Sequence, residues 1–147
     1  EACSISKADY TLNFENLNKL IDELLSKAYE DAGNTFISET RYQISYLEMR
    51  RLQVRILMDI FANVERVHNI LPQSIEISQY VSNVANEFAE KNNVKDLLNQ
   101  LQELYEFFRV ADLPRTREEF ENRAILFNVL RDLEHFLQVK KSFIETI

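Results

Sequence analysis

Glu65 and His68 have the Glu-x-x-His spacing with which some helical bundles bind a pair of iron ions. Such a site needs this motif on two helices and a glutamate from each of two further helices. The second histidine, His135, has Asp132 at the position where the glutamate would stand. We therefore predict no metal site. We interpret His68 as a partly exposed residue in the last turn of a helix, where the helix dipole favours a cation.

Other catalytic motifs find no support in the sequence. It contains no Gly-x-Ser-x-Gly motif, and its single glycine excludes a glycine-rich phosphate loop. Its one cysteine, Cys3, cannot form an internal disulfide, and we interpret it as a bystander near the terminus. Carboxylates are abundant, but a helical protein with 28% charged residues carries them on its solvated faces. We therefore predict that the protein is not an enzyme and binds no cofactor.

The stretch 113–127, LPRTREEFENRAILF, crowds charges into the start of a helix. Thr116 and Glu119 predict a capping box, in which the threonine oxygen accepts the Glu119 amide hydrogen and the Glu119 side chain reaches back. The acids suit the positive end of the helix dipole, and Glu119 with Arg123 forms an i,i+4 pair. The arginines need another explanation, because the dipole disfavours cations there. The six charged residues are Arg115, Arg117, Glu118, Glu119, Glu121 and Arg123.

The totals define what the elements around these residues can be. A chain of 147 residues with 46% hydrophobic content predicts one domain, residues 1–147, that buries about two-thirds of its unfolded surface. One glycine and two prolines are too few for the many turns of a β-sandwich or barrel. A net charge of −7 argues against nonspecific nucleic-acid binding. The sequence has no run of about 18 apolar residues and begins with Glu1, so we expect a soluble domain cut from a longer polypeptide.

Gly33, Pro72 and Pro114 divide the chain into helical segments. The first predicted helix starts at an N-cap, Asn13, and stops at Gly33. A third follows Pro72 and ends near residues 92–93, a fourth runs from 94 to 108, and a fifth from 116 to about 145. The apolar faces of helices one and three are Phe14, Leu17, Ile21, Leu24 and Ala28, and Ile77, Val81, Val84 and Phe88.

The second predicted helix, residues 38–68, has an apolar arc wider than one neighbour needs, so we place it centrally against two or three others. Helices two and five are long, and the others are about half as long. The sequence therefore predicts an all-α antiparallel bundle of about five helices, in which helices two and five form a spine. Helices three and four would pair with the upper half of helix two, and helix one would cover its lower half.

Two polar residues interrupt the apolar face of helix two. Gln53 sits in its main stripe, and Arg50 lies between its two apolar rows. Arg50 could lay its stem on the core and extend its charge to water. Alternatively, Arg50 and Gln53 could fix the helix register through buried hydrogen bonds or line a pocket. A crude antiparallel register predicts an Arg50–Glu134 pair and places Glu65 near the arginines of 117–123, one of which it could neutralise.

The segments YLEMRRLQVRIL (46–57) and DLPRTREEFENRAILFNVLRDLEHFLQVKKSF (112–143) resemble the C-terminal domain of the bacterial aromatic acid exporter family. The resemblance implies a helical domain on the cytoplasmic side of the bacterial cell membrane, whose partner is a transmembrane bundle earlier in the same polypeptide. It supplies no catalytic residue. The candidate structural or coupling residues, including Glu134 from the register argument, are Tyr46, Arg50, Gln53, Thr116, Arg117, Glu118, Glu119, Glu121, Arg123 and Glu134.

Three functions remain open from the sequence. The first is a non-enzymatic domain that serves assembly, regulation or gating of an exporter-like membrane protein, with weak self-association as a homo-oligomer. The second is a ligand-sensing bundle in which Arg50, Gln53 or Arg123 holds a small aromatic carboxylate. The third is a stand-alone protein-interaction module. An apolar cavity with convergent donors would favour the second, and a fully packed core would favour an assembly role.

Overall fold

The computed structural model describes residues 7–34, 38–87 and 94–147, and within these ranges it is entirely helical with short loops. The predicted all-α, five-helix bundle is confirmed. Phe88, the predicted end of the third helix near residues 92–93, and Cys3 lie outside the described residues. The helices are α1 (Lys7–Asn34), α2 (Ser38–Val64), α3 (Pro72–Glu87), α4 (Val94–Val110) and α5 (Arg117–Thr146).

The most extensive helix interface joins α2 and α5, as the predicted spine requires. The two helices run antiparallel, because Gln53 contacts Phe136 whereas Asn69, beyond the end of α2, contacts Glu118. Two helices cover the wide apolar arc of α2, because α1 packs on it as well as α5. The predicted central position of α2 is therefore confirmed.

The first helix is longer than predicted. α1 has 28 residues, about as many as α2 and α5, and Asn13 lies inside it rather than at its N-cap. An asparagine inside a helix costs only a fraction of a kcal/mol. The first turns gain an anchor from Tyr10, whose ring centroid lies 4.8 Å from that of Phe61. Helix packing thus overrides the local capping signal.

The buried face of α1 also differs from the predicted one. Ile21, Leu25 and Ala28 are buried, whereas Leu17 and Leu24 are each 41% exposed. The reason is that, among the residues that the structure describes, α1 packs only against α2, so a single neighbour covers one narrow stripe of the helix. The remaining apolar flank of α1 faces solvent.

The main core lies where α3 and α4 pack against each other and against α5, not against α2 as predicted. The leucines of α5 give that helix a second apolar side, and α2 reaches the cluster through Ile56. Tyr80 of α3 donates its hydroxyl to the carbonyl of Leu97 in α4, at 2.8 Å. The buried cluster comprises Ile56, Ile77, Tyr80, Val84, Val94, Leu97, Leu101, Leu104, Leu126, Val129, Leu130, Leu133, Phe136 and Leu137.

Residues 65–71, between α2 and α3, and residues 111–116, between α4 and α5, lie at the same end of the bundle, which we call the two-loop end. α1 also begins there, because Tyr10 packs on Phe61. His68 lies in the first loop and not, as predicted, in the last turn of a helix. The helix stops earlier because the Arg66 and Val67 amides bond to carbonyls three residues back and tighten the chain into turns.

Candidate functional site

Gln53 is the centre of a polar seam between α2 and α5. Its side chain is only 2% exposed. Its Nε2 donates to the backbone carbonyl of Phe136 at 3.2 Å, and its Oε1 accepts from Arg50 Nη1 at 3.0 Å. Both ends of the buried amide therefore have partners, and this arrangement favours the role of fixing the register of α2 on α5 over that of lining a pocket.

Arg50 is held on its own helix. Its Nε donates to the Tyr46 hydroxyl at 3.0 Å, and its guanidinium carbon lies 5.0 Å from the centroid of the Tyr46 ring. Phe143 of α5 packs beside Tyr46, with centroids 5.9 Å apart, and Tyr42 beside both. The structure thus brings Tyr46, Arg50 and Gln53 together and attaches the group to α5.

Glu134 takes part in a different interface. Its Oε2 accepts from the Tyr105 hydroxyl of α4 at 2.9 Å, and its Oε1 accepts from Gln138 at 3.4 Å. Burial, and then the bond to Glu134, raise the pKa of Tyr105. The predicted Arg50–Glu134 ion pair is therefore wrong. Because Gln53 lies opposite Phe136, Arg50 lies near Lys140, one turn beyond, whose pKa is lowered by burial and by Arg50.

The sequence did not predict cross-helix contacts for three further polar residues, Asn63, Asn122 and Asp132. Asn63 Nδ2 donates to Asp132 Oδ2 at 3.3 Å, and burial raises the pKa of that carboxyl. Asn122 is buried and its Oδ1 accepts from the backbone amide of His68 at 3.3 Å. A signal for Asn122 was present, because it lies four residues before Leu126 and eight before Leu130 on the apolar face of α5.

Thr116 caps α5, as predicted. Its Oγ1 accepts from the Glu119 amide at 3.1 Å. The returning half of the capping box is shifted by one residue, because Glu119 Oε2 accepts from the Arg115 amide at 3.0 Å. The start of α5 is therefore closed by reciprocal bonds between its first turn and the preceding loop.

Arg123 fastens the loop between α4 and α5. Its Nη2 lies 2.8 Å from Glu119 Oε1, as the i,i+4 spacing predicted, and its Nη1 donates to the Asp112 carbonyl. The buried Nε of Arg123 has no acceptor in the part of the chain that the structure describes. The arginine nearest the core thus has a structural role in holding the loop.

Two further acids of the motif, Glu118 and Glu121, line a depression at the two-loop end. Glu118 Oε1 accepts from Asn69 Nδ2 at 2.7 Å, and Glu121 lines the same depression as Glu65 and Asn122. The predicted proximity of Glu65 to this segment is confirmed, but the partner of Arg123 is Glu119. Arg115 and Arg117 are exposed, and neither joins an ion pair within residues 7–34, 38–87 and 94–147.

An apolar groove of about 370 Å³ lies between the end of α4 and the start of α5. It is open to solvent, and Phe120 and Phe127 are exposed in it. A cleft with aromatic walls and two guanidinium groups suits a small aromatic anion. Its walls are Tyr105, Phe108, Pro114, Phe120, Ala124 and Phe127, with Arg109 and Arg123.

The described ranges contain neither a metal-binding cluster nor a membrane-spanning helix. No three His, Cys, Asp or Glu side chains converge there in a way that could hold a metal ion. No helix of these ranges combines the length and the apolar character that crossing a membrane requires.

Comparison with known proteins gives matches over most of the chain. The family model described as "Putative aromatic acid exporter C-terminal domain" matches residues 4–141. The uncharacterized protein YqjA of Bacillus subtilis (strain 168) is 29% identical over 126 residues, which are 86% of this chain and 39% of that protein. The crystal structure of a "putative membrane protein from Clostridium difficile 630" superposes with a TM-score of 0.83 and 30% identity, covering 92% of this chain and 80% of that one.

Proposed function

Because the chain belongs to the family of aromatic acid exporter C-terminal domains, we propose that it is the non-enzymatic cytoplasmic domain of an exporter-like membrane protein. The observation that carries the proposal is the family match over residues 4–141. The chain spans only 39% of the curated relative's length. In the proposed arrangement, a transmembrane part of the same polypeptide is the partner of this domain.

Within that protein, the domain serves assembly, and through assembly the regulation or gating of the membrane part. The support comes from α1, which packs on α2 alone among the described helices and leaves Leu17, Leu20 and Leu24 exposed along one flank. A flank of this kind is available to a second copy of the domain or to the membrane part. The α2–α5 seam supports the role by giving the domain one defined register on which such a contact can be built.

The non-enzymatic character is supported by what the motif residues do. Thr116 and Glu119 close the start of α5, Arg123 holds the preceding loop, and Gln53 joins α2 to α5. Each of these side chains is engaged in a contact between helices or across a helix end. These contacts are structural, and they are of the kind that transmits a displacement from one helix to another.

The native gene provides the first test. We expect its reading frame to encode hydrophobic helices before this domain and its full-length product to fractionate with membranes. Cells that express the full-length protein should then export aromatic acids differently from cells that express it without residues 7–147. A frame without such helices, together with a product confined to the soluble fraction, would overturn the proposal in favour of a stand-alone interaction module.

A second candidate function, sensing of a small aromatic carboxylate, is favoured by the groove between α4 and α5. Arg50 and Gln53 are hydrogen-bonded to each other and are not available to hold a carboxylate. Of the three residues considered, Arg123 therefore remains, and it lines the groove. Aromatic walls and guanidinium donors provide both contacts that such an anion needs.

Benzoate titration of the isotopically labelled chain, followed by NMR, tests this candidate. We expect shifts confined to amides around the groove. Phe127→Leu should raise the dissociation constant severalfold, whereas the matched control Phe143→Leu, at the opposite end of α5, should leave it unchanged. Shifts scattered over the whole surface, or equal effects of the two variants, would exclude a specific site.

A further inference from the structure

The exposed leucines of α1 form a continuous row, which we call the leucine flank. Leu17, Leu20 and Leu24 follow one another at steps of three and four residues, so they share one side of the helix. On the helical wheel this side lies next to the buried stripe that packs on α2. Among the described helices only α2 packs on α1, so the flank is open to a contact with another chain.

A row of alternating charges runs beside the leucine flank, on the side away from α2. Its members are Glu15, Lys19, Glu23 and Lys27, each four residues from the next. All four are exposed, and none joins an ion pair within residues 7–34, 38–87 and 94–147. Read backwards, the row has the opposite sign at every position. Two copies of α1 that run antiparallel can therefore set opposite charges against each other, whereas a parallel pair in register would set each charge against itself.

The same row selects one antiparallel register. With the two-fold axis level with Ile21, Lys19 faces the partner's Glu23, and Glu15 is level with the partner's Lys27. The leucines of the two copies then alternate along the pair, so that each fits between leucines of the other helix. A shift by one helical turn would place Glu23 against Glu23 in one direction and Lys19 against Lys19 in the other, and like charges that face each other are unfavourable.

The remaining acids of α1 do not oppose this register. Asp22 has a partner in Arg51 of α2, at 3.9 Å. The acids nearer the ends of the helix, Asp9, Glu30 and Asp31, lie level with uncharged residues of the second copy. At physiological salt the Debye length is about 8 Å, so repulsion between two chains of net charge −7 is largely screened. The contacts across the helix pair therefore decide whether it forms.

We propose that α1 pairs antiparallel with α1 of a second copy of this chain, with the leucine flanks interleaved and Lys19 bound to the partner's Glu23. The interface is isologous, so each contact occurs twice. A second copy is favoured over the membrane part as the occupant of the flank, because the order of the charges is complementary to its own reverse. Charge order of this kind provides specificity, and the leucines provide the apolar contact.

This inference deepens the proposed assembly role, and it rests on that role for its consequence in the cell. The membrane parts of a dimer enter the bilayer in the same direction, so the two-fold axis that relates them is perpendicular to the membrane. An antiparallel helix pair is related by an axis perpendicular to both helices. α1 therefore lies parallel to the membrane surface. Failure of the pairing would leave the gene and fractionation test of the proposed function unaffected, so the two can fail separately.

Two charge variants test the pairing, because each alone weakens it and a mixture of both restores it. Lys19→Glu leaves acids at positions 19 and 23, and Glu23→Lys leaves lysines at both. Each should raise the dissociation constant of the dimer about tenfold, since two attractive pairs become repulsive. An equimolar mixture, or the double variant, should regain the constant of the parent protein. Sedimentation equilibrium measures these constants.

The control is Lys95→Glu, which changes the same charge at an exposed position on α4 and should leave the dissociation constant unchanged. All the altered side chains are exposed, so circular dichroism should show an unchanged fold for every variant.

Spin labels test the direction and register of the pair. In a chain with Cys3→Ser, a label is attached to a single cysteine introduced as Ser26→Cys or Glu30→Cys, both at exposed positions. A helix rises about 1.5 Å per residue, so in the proposed register the two labels of a dimer lie about 15 Å apart along the helices at residue 26 and about 27 Å apart at residue 30. Pulsed electron paramagnetic resonance measures both separations.

Three results would overturn the proposal. One is a parent protein that stays monomeric at every concentration in the sedimentation experiment. Another is a mixture of the two charge variants that associates no more tightly than its components. The last is an equal separation at both label positions, which would show a parallel pair.

Discussion

The two sides of the α2–α5 spine are stabilised to different extents. On one side, thirteen buried side chains of α3, α4 and α5 form one cluster with Ile56 of α2. On the other, α1 is attached to α2 through a cluster with only three fully buried residues, Ile21, Leu25 and Val54. Helix length does not produce this difference, because α1 has nearly as many residues as α5. It arises because α5 packs on three helices and α1 on one.

The difference shows which part of the domain can move at low cost. An isolated helix in water is marginally stable, so α1 depends on its single interface with α2. Segments with few buried apolar contacts open locally at a lower free energy than the global unfolding of the protein. The side with the large cluster is therefore the rigid frame, and α1 is the element that a partner can displace or capture.

Core truncations on the two sides should have the largest effects and test the comparison directly. Leu101→Ala, in the large cluster, should lower the free energy of unfolding by about 4 kcal/mol, because its surroundings are too tightly packed to collapse. Leu25→Ala, in the small cluster, should cost about 2 kcal/mol, since α1 can shift to close the space. Urea denaturation measures both. Equal losses would show that the two sides are equally rigid.

Replacement of Gln53 tests the seam that joins the frame to α2. Gln53→Ala removes the bond to the Phe136 carbonyl and one partner of Arg50, and should cost about 2 kcal/mol. The control Gln53→Met keeps the volume and removes only the polar atoms. If Met is as destabilising as Ala, hydrogen bonding decides the register. A neutral Met variant would assign the role to packing.

The Thr116 cap of α5 should contribute less to the free energy of unfolding than Gln53 does. Its effect should be confined to the side of the bundle that contains α5 and should not reach α1. Thr116→Ala should cost about 1 kcal/mol, because the Glu119 amide loses its acceptor. Thr116→Ser keeps that acceptor and serves as the control. Hydrogen exchange should quicken at the start of α5 and stay unchanged in α1. A loss of protection in α1 would mean that the two sides are coupled more tightly than their contacts indicate.

Ionisation of Asp132, in the polar seam between α2 and α5, should slightly lower the free energy of unfolding, by an amount that depends on pH. Burial raises the pKa of its carboxyl in the folded protein, so folding opposes its ionisation, and the cost appears as the pH rises through that pKa. Asp132→Asn should therefore stabilise the protein at pH 7 by less than about 1 kcal/mol, given the partial exposure of the group. The gain should disappear below the ordinary value of 3.8. A gain independent of pH would indicate a cause other than ionisation.

The smallest change in stability is expected at the exposed flank of α1. Leu20→Glu should alter the free energy of unfolding by less than about 0.5 kcal/mol, because the side chain is exposed. We expect the chain to self-associate weakly through this flank, and Leu20→Glu should abolish the rise of light scattering with concentration. Val81→Glu, at a similarly exposed position on α3, is the control. A parent protein that stays monomeric at high concentration would remove the flank as an assembly surface.

The sequence predicted the side with the large buried cluster better than the α1 side. The Thr116 cap and the Glu119–Arg123 pair are local patterns, and the structure contains both. The start of α1 depends on Tyr10 reaching Phe61, which is 51 residues away, so the strong capping preference of Asn13 gave a wrong boundary. Contacts distant in sequence override local signals at such positions.

The polar contacts across helices were the least predictable. The predicted register between α2 and α5 was wrong by about four residues at Arg50, which is one helical turn. In the actual register, Glu134 contacts Tyr105 of α4 and not Arg50 of α2. No feature of the sequence fixes a register that closely. The arginines, by contrast, were correctly identified as needing an explanation, and the structure supplies one for Arg123.

The interface between α1 and α2 resists a mechanical load to an extent that depends on the direction of the load. Its contacts run from Tyr10–Phe61, at the two-loop end, to Tyr29–Glu48, over most of α1 and about half of α2. A pull along the helix axis shears all these contacts at once, so they resist in parallel. A sideways pull at the start of α1 separates the two helices one turn at a time, beginning at Tyr10, so the contacts resist one after another. The same attachment is thus stiff toward axial tension and compliant toward lateral displacement.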